Sequence, residues 1–181
     1  MVQEVSMEVL IRSERPTDID AIEQVTLAAF MGKFSDNPTE HLIVNGLRDA
    51  GALSLSLVAE VDEKIVGHVA FSLVTINGEN LNWYGLGPIS VLPELQKQGI
   101  GSKLIHEGLS AIQAFGAKGC MLEGSPAYYQ RFGFKAYPGL IYEAAPGLEY
   151  FMAFPFYEDV PQGKVEYHPA FYISTGRQTM I

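Results

Sequence analysis

Apolar residues change their spacing several times along the chain, from a helical to a strand-like pattern, and this predicts mixed secondary structure. Ile22, Val25 and Phe30 follow helical spacing after Thr17, which we expect to cap a first helix. A second helix is predicted at about residues 39–49. Strands are predicted at residues 11–12, 54–61, 64–74, 81–91 and 120–122.

Two polar dipeptides predict tight turns between strands. Asp62-Glu63 joins the second predicted strand to the third, and Asn77-Gly78 precedes the fourth. Asn-Gly is typical of two-residue hairpin turns, because both positions tolerate a positive φ. The middle of the chain is therefore expected to be an antiparallel run.

A strongly periodic helix opens the second half of the chain. Apolar residues recur at helical spacing from Ile100 to Phe115, and Gly116 suits the helix end. A short helix is predicted at residues 127–132, and prolines break the aromatic, strand-like tail at 137–172. The order of elements is β, α, α, β, β, β, β, α, β, α, β, with one or two further strands.

Charge narrows the choice of partner. The 181 residues carry 12 basic and 21 acidic side chains, a net charge of −9, which argues against nucleic acid and suits a cationic partner. We expect one domain, residues 1–181, with a core at about 9–136 and a C-terminal segment at 137–181. The sequence has neither a signal-peptide pattern nor an apolar run of spanning length, so we expect no membrane partner and a cytoplasmic protein.

Residues 96–101, Gln-Lys-Gln-Gly-Ile-Gly, join an apolar strand to the long helix. Backbone N–H groups at a helix start are free to bind anions. No stretch fits the G-x-x-x-x-G-K-[ST] loop of nucleotide-binding proteins. A dinucleotide-binding fingerprint is a weaker alternative, since Leu104 stands at its third glycine while Glu123 lies at a suitable distance for a ribose-binding acid. A simple tight turn is the remaining interpretation of the loop alone.

Residues 127–134, Ala-Tyr-Tyr-Gln-Arg-Phe-Gly-Phe, place Tyr129 four residues before a Gly-Phe pair. Together with the loop at 96–101, this segment resembles the GNAT superfamily of N-acetyltransferases, whose members carry a Gln/Arg-x-x-Gly-x-Gly/Ala loop and a Tyr at this position. The Gly-Ser-Pro-Ala-Tyr-Tyr segment is similar to Gly-Asp-Pro-Ala-Tyr-Tyr of one bacterial branch, with Ser125 replacing the Asp. The resemblance covers about residues 9–136 well and the tail only loosely.

This resemblance implies an α/β (α+β) fold with a mixed, mostly antiparallel central sheet of about seven strands. The sheet would be splayed at the fourth and fifth strands and flanked by about four helices. The implied function is transfer of an acetyl group from acetyl-CoA, without a metal, to a primary amine of a small molecule or peptide in a ternary complex. The alternative is a non-catalytic acyl-CoA-binding sensor, which would keep the loop but not need Tyr129.

The resemblance also assigns the cofactor site. The fourth strand would pair with the pantetheine arm beside a bulge, which Pro88 suits, while loop N–H groups would hold the pyrophosphate. The Val91 N–H would serve as the oxyanion donor. The expected cofactor-binding residues are Ile89, Ser90, Val91, Gln96, Lys97, Gln98, Gly99, Ile100, Gly101, Ser102, Ser125 and Tyr129.

Tyr129 is the implied general acid for the departing thiolate, whereas Tyr128 is expected to pack. The general base stays open: Glu123 ends the fifth strand near the cleft, and the alternatives are a solvated or ion-paired role for Glu123 and an ordered water as proton acceptor. The four histidines show no metal-ligand spacing, and Cys120 is expected to be a buried small hydrophobe.

The amine pocket is expected to come from the loop at residues 31–39 and from the aromatic tail. The candidates are Phe34, Asp36, Tyr142, Phe151, Phe154 and Tyr157, with ordinary core packing as the alternative for the aromatic side chains. His168 could line the cleft, and a structural role is the alternative. The tail also suits a homodimer surface, so oligomeric state stays open.

Overall fold

The structure, a computed structural model, describes residues 6–33 and 35–173. The strands of these residues are β1 (Leu10–Ser13), β2 (Leu55–Val61), β3 (Lys64–Leu73), β4 (Thr75–Ile76), β5 (Trp83–Val91), β6 (Gly119–Glu123), β7 (Leu140–Ile141), β8 (Phe151–Pro155) and β9 (Gly163–Glu166). The α-helices are α1 (Ile19–Phe30), α2 (Glu40–Asp49), α3 (Ile100–Ala114), α4 (Pro126–Tyr129) and α5 (Ala170–Ile173).

Six strands form the main sheet, in the order β1-β2-β3-β5-β6-β8. Its ladders are antiparallel except that between β5 and β6, which is parallel and which α3 connects. Strands β4, β9 and β7 form a separate three-stranded sheet. The mixed, mostly antiparallel fold is confirmed, but a six-stranded and a three-stranded sheet replace the single sheet of about seven strands.

The helices cover the two faces of the main sheet. Val58 packs with Ile22 of α1 and Val44 of α2, whereas its neighbours Leu57 and Ala59 belong to the cluster that contains residues of α3. Because successive residues of a strand point to opposite faces, α1 and α2 lie on one face and α3 lies on the other. The C-terminal segment joins this architecture, since β8 pairs with β6.

Both predicted turns have the backbone that their sequences favour. Asp62 and Glu63 have φ values of 49° and 64°, and Asn77 and Gly78 have values of 51° and 78°. Positive φ at both central residues is the geometry of a type I′ hairpin turn, which matches the twist of the flanking strands. The hairpin of β2 and β3 is therefore confirmed, as is a turn at Asn77-Gly78.

The predicted cap at Thr17 is wrong. Thr17 lies within a 3₁₀ turn, Pro16–Asp18, and α1 begins only at Ile19. Asp18 stabilises this turn, because its carboxylate accepts the Arg15 N–H at 2.7 Å and the Arg12 guanidinium at 2.7 Å. The hydrogen bonds from Arg12 hold the pKa of Asp18 below its ordinary value.

Two further details of the second half differ from expectation. Phe115 follows the last residue of α3 and is 56% exposed, so it does not belong to the apolar face of the helix. The helix predicted at 127–132 is split into α4 and a 3₁₀ turn, Gln130–Phe132. The prediction for Cys120 is confirmed: its side chain is fully buried, and burial raises the pKa of the thiol.

Candidate functional site at the split in the sheet

The main sheet opens between its two parallel strands. Trp83–Gly85 of β5 pair with Gly119–Met121 of β6, and the pairing stops there although β5 continues to Val91. On the other side of β5, Gly87 and Pro88 together face the single residue Ala70, which makes a β-bulge in the ladder with β3. The bulge bends β5 where it leaves β6, and the edge of β5 from residue 86 to residue 91 lies free of β6.

Backbone polar groups of β5 point into this gap. The Leu92 N–H donates to the Val66 carbonyl at 2.9 Å, and hydrogen-bonded pairs alternate along an antiparallel ladder. The N–H groups of Ile89 and Val91 therefore face away from β3, towards the gap. The Gln96 side-chain amide donates to the Val91 carbonyl at 3.0 Å and ties the following loop to this edge.

The side chain of Ser90 points away from the expected cofactor position. Its hydroxyl is 3.3 Å from the Thr26 hydroxyl of α1, and the residue is only 3% exposed. By the same alternation, the Ser90 N–H and carbonyl face β3, where Ser90 pairs with His68, so the polar groups of Ser90 point away from the gap and its side chain fixes α1 against the sheet.

The loop before α3 presents free donors at the mouth of the gap. The first α-helical hydrogen bond runs from the Lys103 N–H to the Gly99 carbonyl at 3.1 Å, so the N–H groups of Ile100, Gly101 and Ser102 precede the helical ladder. The helix dipole adds positive potential there, and the side chains of Lys97 and Lys103 are exposed nearby in sequence. This arrangement suits an anion.

The two loop glycines are needed for different physical reasons. Gly99 has a φ of +87°, a left-handed backbone that side chains disfavour, although a Cβ there would meet nothing within 4 Å. At Gly101 a Cβ would lie 2.9 Å from the Tyr128 hydroxyl oxygen. Gly99 therefore provides the turn, and Gly101 makes room for Tyr128.

Tyr129 lies on the α3 side of the gap. Its ring covers Gly124, which follows β6, and packs edge-to-face against Tyr128 and Phe134 at centroid distances of 4.8 and 6.2 Å. It borders the same apolar cluster as Leu86 and Ile89 of the bulged strand. Burial raises the pKa of the Tyr129 hydroxyl well above its ordinary value, so the phenol is neutral and can donate a hydrogen bond.

Glu123 and an aromatic cluster lie on the opposite face. Tyr167 covers Gly85, which pairs with Met121, and Glu123 shares the face of Met121 because it follows two residues later. The aromatic cluster consists of Tyr142, Phe151, Tyr167 and Phe171, with neighbouring centroids 4.8–5.1 Å apart. Burial, followed by the negative charge of neighbours that include Glu123, raises the pKa of Tyr167.

The structure separates the expected pocket residues. Tyr142 and Phe151 belong to the aromatic cluster, whereas Phe154 packs against Phe134 and Phe156 at 5.7 and 5.6 Å. Tyr157 is 56% exposed beside Lys118, beyond the C-terminal end of α3. Of the remaining positions, Asp36 is exposed and the His168 Nδ1 accepts the Ala170 N–H at 3.1 Å, whereas Phe34 lies outside the described residues.

Two buried side chains near this site, those of Tyr167 and His68, have packing roles that the sequence did not predict. Tyr167 stands in no motif, and its place over Gly85 depends on a glycine more than eighty residues earlier. His68 is fully buried under α1, with its Nε2 2.8 Å from the Ser56 hydroxyl, while the described residues offer no partner to its Nδ1. Burial, aided by the positive charge of Arg48, lowers the pKa of His68 to about 3.

Within residues 6–33 and 35–173, no three His, Cys, Asp or Glu side chains are grouped so as to hold a metal ion. In the same part of the chain, no helix has the length and apolarity that crossing a membrane requires.

Parallel strands that separate at a bulge, with free N–H groups on the strand edge and at a helix start, are the arrangement that the resemblance to acyl-CoA-dependent N-acyltransferases implies. A family model described as an acetyltransferase (GNAT) domain matches residues 53–136. The uncharacterised N-acetyltransferase YhbS of Escherichia coli K12 is 39% identical over 127 residues, which cover 70% of this chain and 73% of YhbS.

Two crystal structures extend this similarity over nearly the whole chain. A GNAT family acetyltransferase from Brucella melitensis, in complex with acetyl-CoA, is 50% identical with a TM-score of 0.81, over 91% of this chain and 99% of that chain. Escherichia coli YhbS in complex with CoA is 33% identical with a TM-score of 0.85, over 94% and 96%. The chain therefore belongs to the GNAT family of acetyl-CoA-dependent acetyltransferases.

Proposed function

We propose that this protein moves the acetyl group of acetyl-CoA to a primary amine of a small molecule or peptide, by direct attack in a ternary complex. The observation that carries the proposal is the split between β5 and β6, which has different chemistry on its two faces. Tyr129 borders the α3 face, and Glu123 with the aromatic cluster borders the other. Two substrates can therefore meet at the bulge from opposite sides.

On the α3 face we assign the cofactor. The N–H groups at the start of α3 hold the pyrophosphate, and the free edge at Ile89 pairs with the amides of the pantetheine arm, which leaves the Val91 N–H for the thioester. The solved relatives bound to acetyl-CoA and CoA support this assignment. Acetyl-CoA supplies an activated carbonyl and a thiolate leaving group.

The residues at the bulge then have distinct tasks. The Val91 N–H donates to the carbonyl oxygen, which gains negative charge as the amine nitrogen attacks the carbonyl carbon. When the carbon–sulfur bond breaks, the neutral Tyr129 hydroxyl donates its proton to the thiolate, and the proton that the attacking nitrogen releases as the amide forms restores the hydroxyl through water. Positioning of the two substrates supplies most of the remaining rate enhancement.

On the opposite face we assign the amine. An amine is an ammonium ion at neutral pH and must lose a proton before attack, and we assign Glu123, directly or through water, as the acceptor of that proton. Tyr142, a partly buried ring of the aromatic cluster, attracts a cation, and the buried Phe151 packs against it at a centroid distance of 5.1 Å. The net charge of −9 favours the approach of the same ion.

The test is turnover of acetyl-CoA with a panel of primary amines, peptides, alcohols and thiols, and the release of the free CoA thiol measures the rate. We expect turnover with amines. Glu123→Gln should lower kcat with the preferred amine and flatten the acidic limb of the pH–rate profile, whereas Glu149→Gln, at an exposed carboxylate, is the matched control. CoA binding without turnover of any acceptor would identify a sensor, and turnover restricted to alcohols or thiols would remove the amine assignment.

A further inference from the structure

Tyr128 lies between α4 and the start of α3. Its hydroxyl oxygen is 2.9 Å from the position that a Cβ of Gly101 would take. Gly101 is the second residue of α3, in the turn whose N–H groups have no helical acceptor. A phenol hydroxyl therefore lies beside the backbone donors that we assign to the pyrophosphate.

This hydroxyl is available for hydrogen bonding. Tyr128 is only partly buried, and the described residues supply no hydrogen-bond partner for its hydroxyl. Because the hydroxyl is open to solvent, it can exchange a water partner for a phosphate oxygen of the cofactor and turn its one donor to that oxygen.

The ring of Tyr128 is held in place from several sides. Tyr129 and Phe132 contact it edge-to-face, at centroid distances of 4.8 and 5.4 Å. The Arg131 guanidinium stacks on it at 4.2 Å, and the Arg131 Nε donates to the Tyr128 carbonyl at 3.1 Å. A donor fixed in this way loses little freedom when it binds, and the stacked cation adds positive potential next to it.

We propose that the Tyr128 hydroxyl donates a hydrogen bond to the coenzyme pyrophosphate, beside the backbone N–H groups of α3, and that Arg131 is the positioning residue that holds the ring. This inference rests on the proposed function, because it presumes coenzyme binding at α3. It gives the two adjacent tyrosines separate tasks: Tyr128 binds the phosphate end of the coenzyme, and Tyr129 acts at the sulfur end.

The test is the dissociation constant for CoA, measured by calorimetry. Tyr128→Phe removes one oxygen atom and keeps the ring, so the variant should fold. A hydrogen bond to a charged phosphate predicts a rise in Kd of about ten- to a hundredfold. The matched control is Tyr157→Phe, which removes a hydroxyl beyond the far end of α3 and should leave Kd unchanged.

Arg131 is tested in the same assay. Arg131→Gln should raise Kd in the wild-type background and have little further effect in Tyr128→Phe, because Arg131 acts through the hydroxyl. Equal effects in the two backgrounds would overturn the positioning role and indicate direct contact with the coenzyme. If the wild type binds CoA and Tyr128→Phe binds equally well, the inference fails alone; if the wild type does not bind CoA, the proposed function fails.

Discussion

The buried histidine of β3 makes stability depend on pH in a way that can be calculated. His68 has a folded-state pKa of about 3 instead of 6.5, chiefly because burial disfavours the charged ring. His68 therefore becomes protonated near pH 6.5 in the unfolded chain but stays neutral in the folded chain. The free energy of unfolding falls as the pH falls below 6.5. The stabilising contribution is complete above pH 6.5 and is lost progressively down to pH 3.

At mild acidity the loss of unfolding free energy depends little on the folded-state pKa of His68, as long as that pKa lies well below 5. At pH 5 the unfolded histidine is one and a half pH units below its ordinary pKa, while the folded ring is still neutral. At about 1.4 kcal/mol per unit, the protein should lose about 2 kcal/mol of unfolding free energy between pH 7.5 and pH 5 from this residue alone. Small domains have about 5–15 kcal/mol in total, so the loss is readily measured.

The assay is urea unfolding at pH 7.5, 6.0 and 5.0, for the wild type and for His68→Gln. Gln keeps a polar group near the Ser56 hydroxyl but cannot take up the proton. Every other ionisable group is common to both proteins and cancels in the difference. The wild type should lose about 2 kcal/mol more than the variant between the two extremes of pH. Parallel losses would show that His68 is protonated inside the fold and would refute the calculation.

Three other predictions concern the site. Tyr129→Phe should lower kcat at least about tenfold where chemistry limits the rate, with Tyr157→Phe as the control; a wild-type kcat would mean that solvent protonates the thiolate. Gly99→Val forces a branched side chain into a left-handed backbone, so CoA affinity should fall at least about tenfold by calorimetry; an unchanged affinity would contradict the loop assignment. Gly101→Ala should raise the free energy of unfolding by up to about 1 kcal/mol in a Tyr128→Phe background, because alanine has the higher helix propensity. In the wild type the gain should be absent, since the new Cβ meets the Tyr128 hydroxyl. Equal changes in the two backgrounds would show that this hydroxyl lies elsewhere.

The sequence was sufficient wherever local chemistry decides the structure. Asn77-Gly78 has the positive φ values that these two residue types favour in a tight turn, and the apolar stripe of α3 is periodic over four turns. Thr17 failed as a cap because its neighbour Asp18 accepts the Arg15 N–H and is held by Arg12 of the preceding strand β1, which places Thr17 inside a 3₁₀ turn. A hydrogen bond between residues on separate elements leaves no periodic signal in the sequence.

Pieces of the site that depend on packing were the hardest to predict. Strands β4 and β7 have two residues each, too few for an alternating pattern, so the three-stranded sheet was missed. The covering of Gly85 by Tyr167 and the approach of Tyr128 to Gly101 are matches of shape between segments that are far apart in the chain. The family resemblance predicted the location of the site but not these contacts.

The short ladder between β5 and β6 gives the main sheet two internal edges in addition to its outer ones. Only three residue pairs hold the halves together before the strands part. An internal edge is shielded from the sheet-to-sheet pairing that endangers outer strands, because the other half of the same sheet lies beside it. Under the proposed function, the internal edge of β5 takes a thin, extended molecule that carries its own amides, and the pantetheine arm is such a molecule. On that proposal the sheet selects a ligand by its resemblance to a missing strand, and each catalytic cycle completes the sheet and then opens it again.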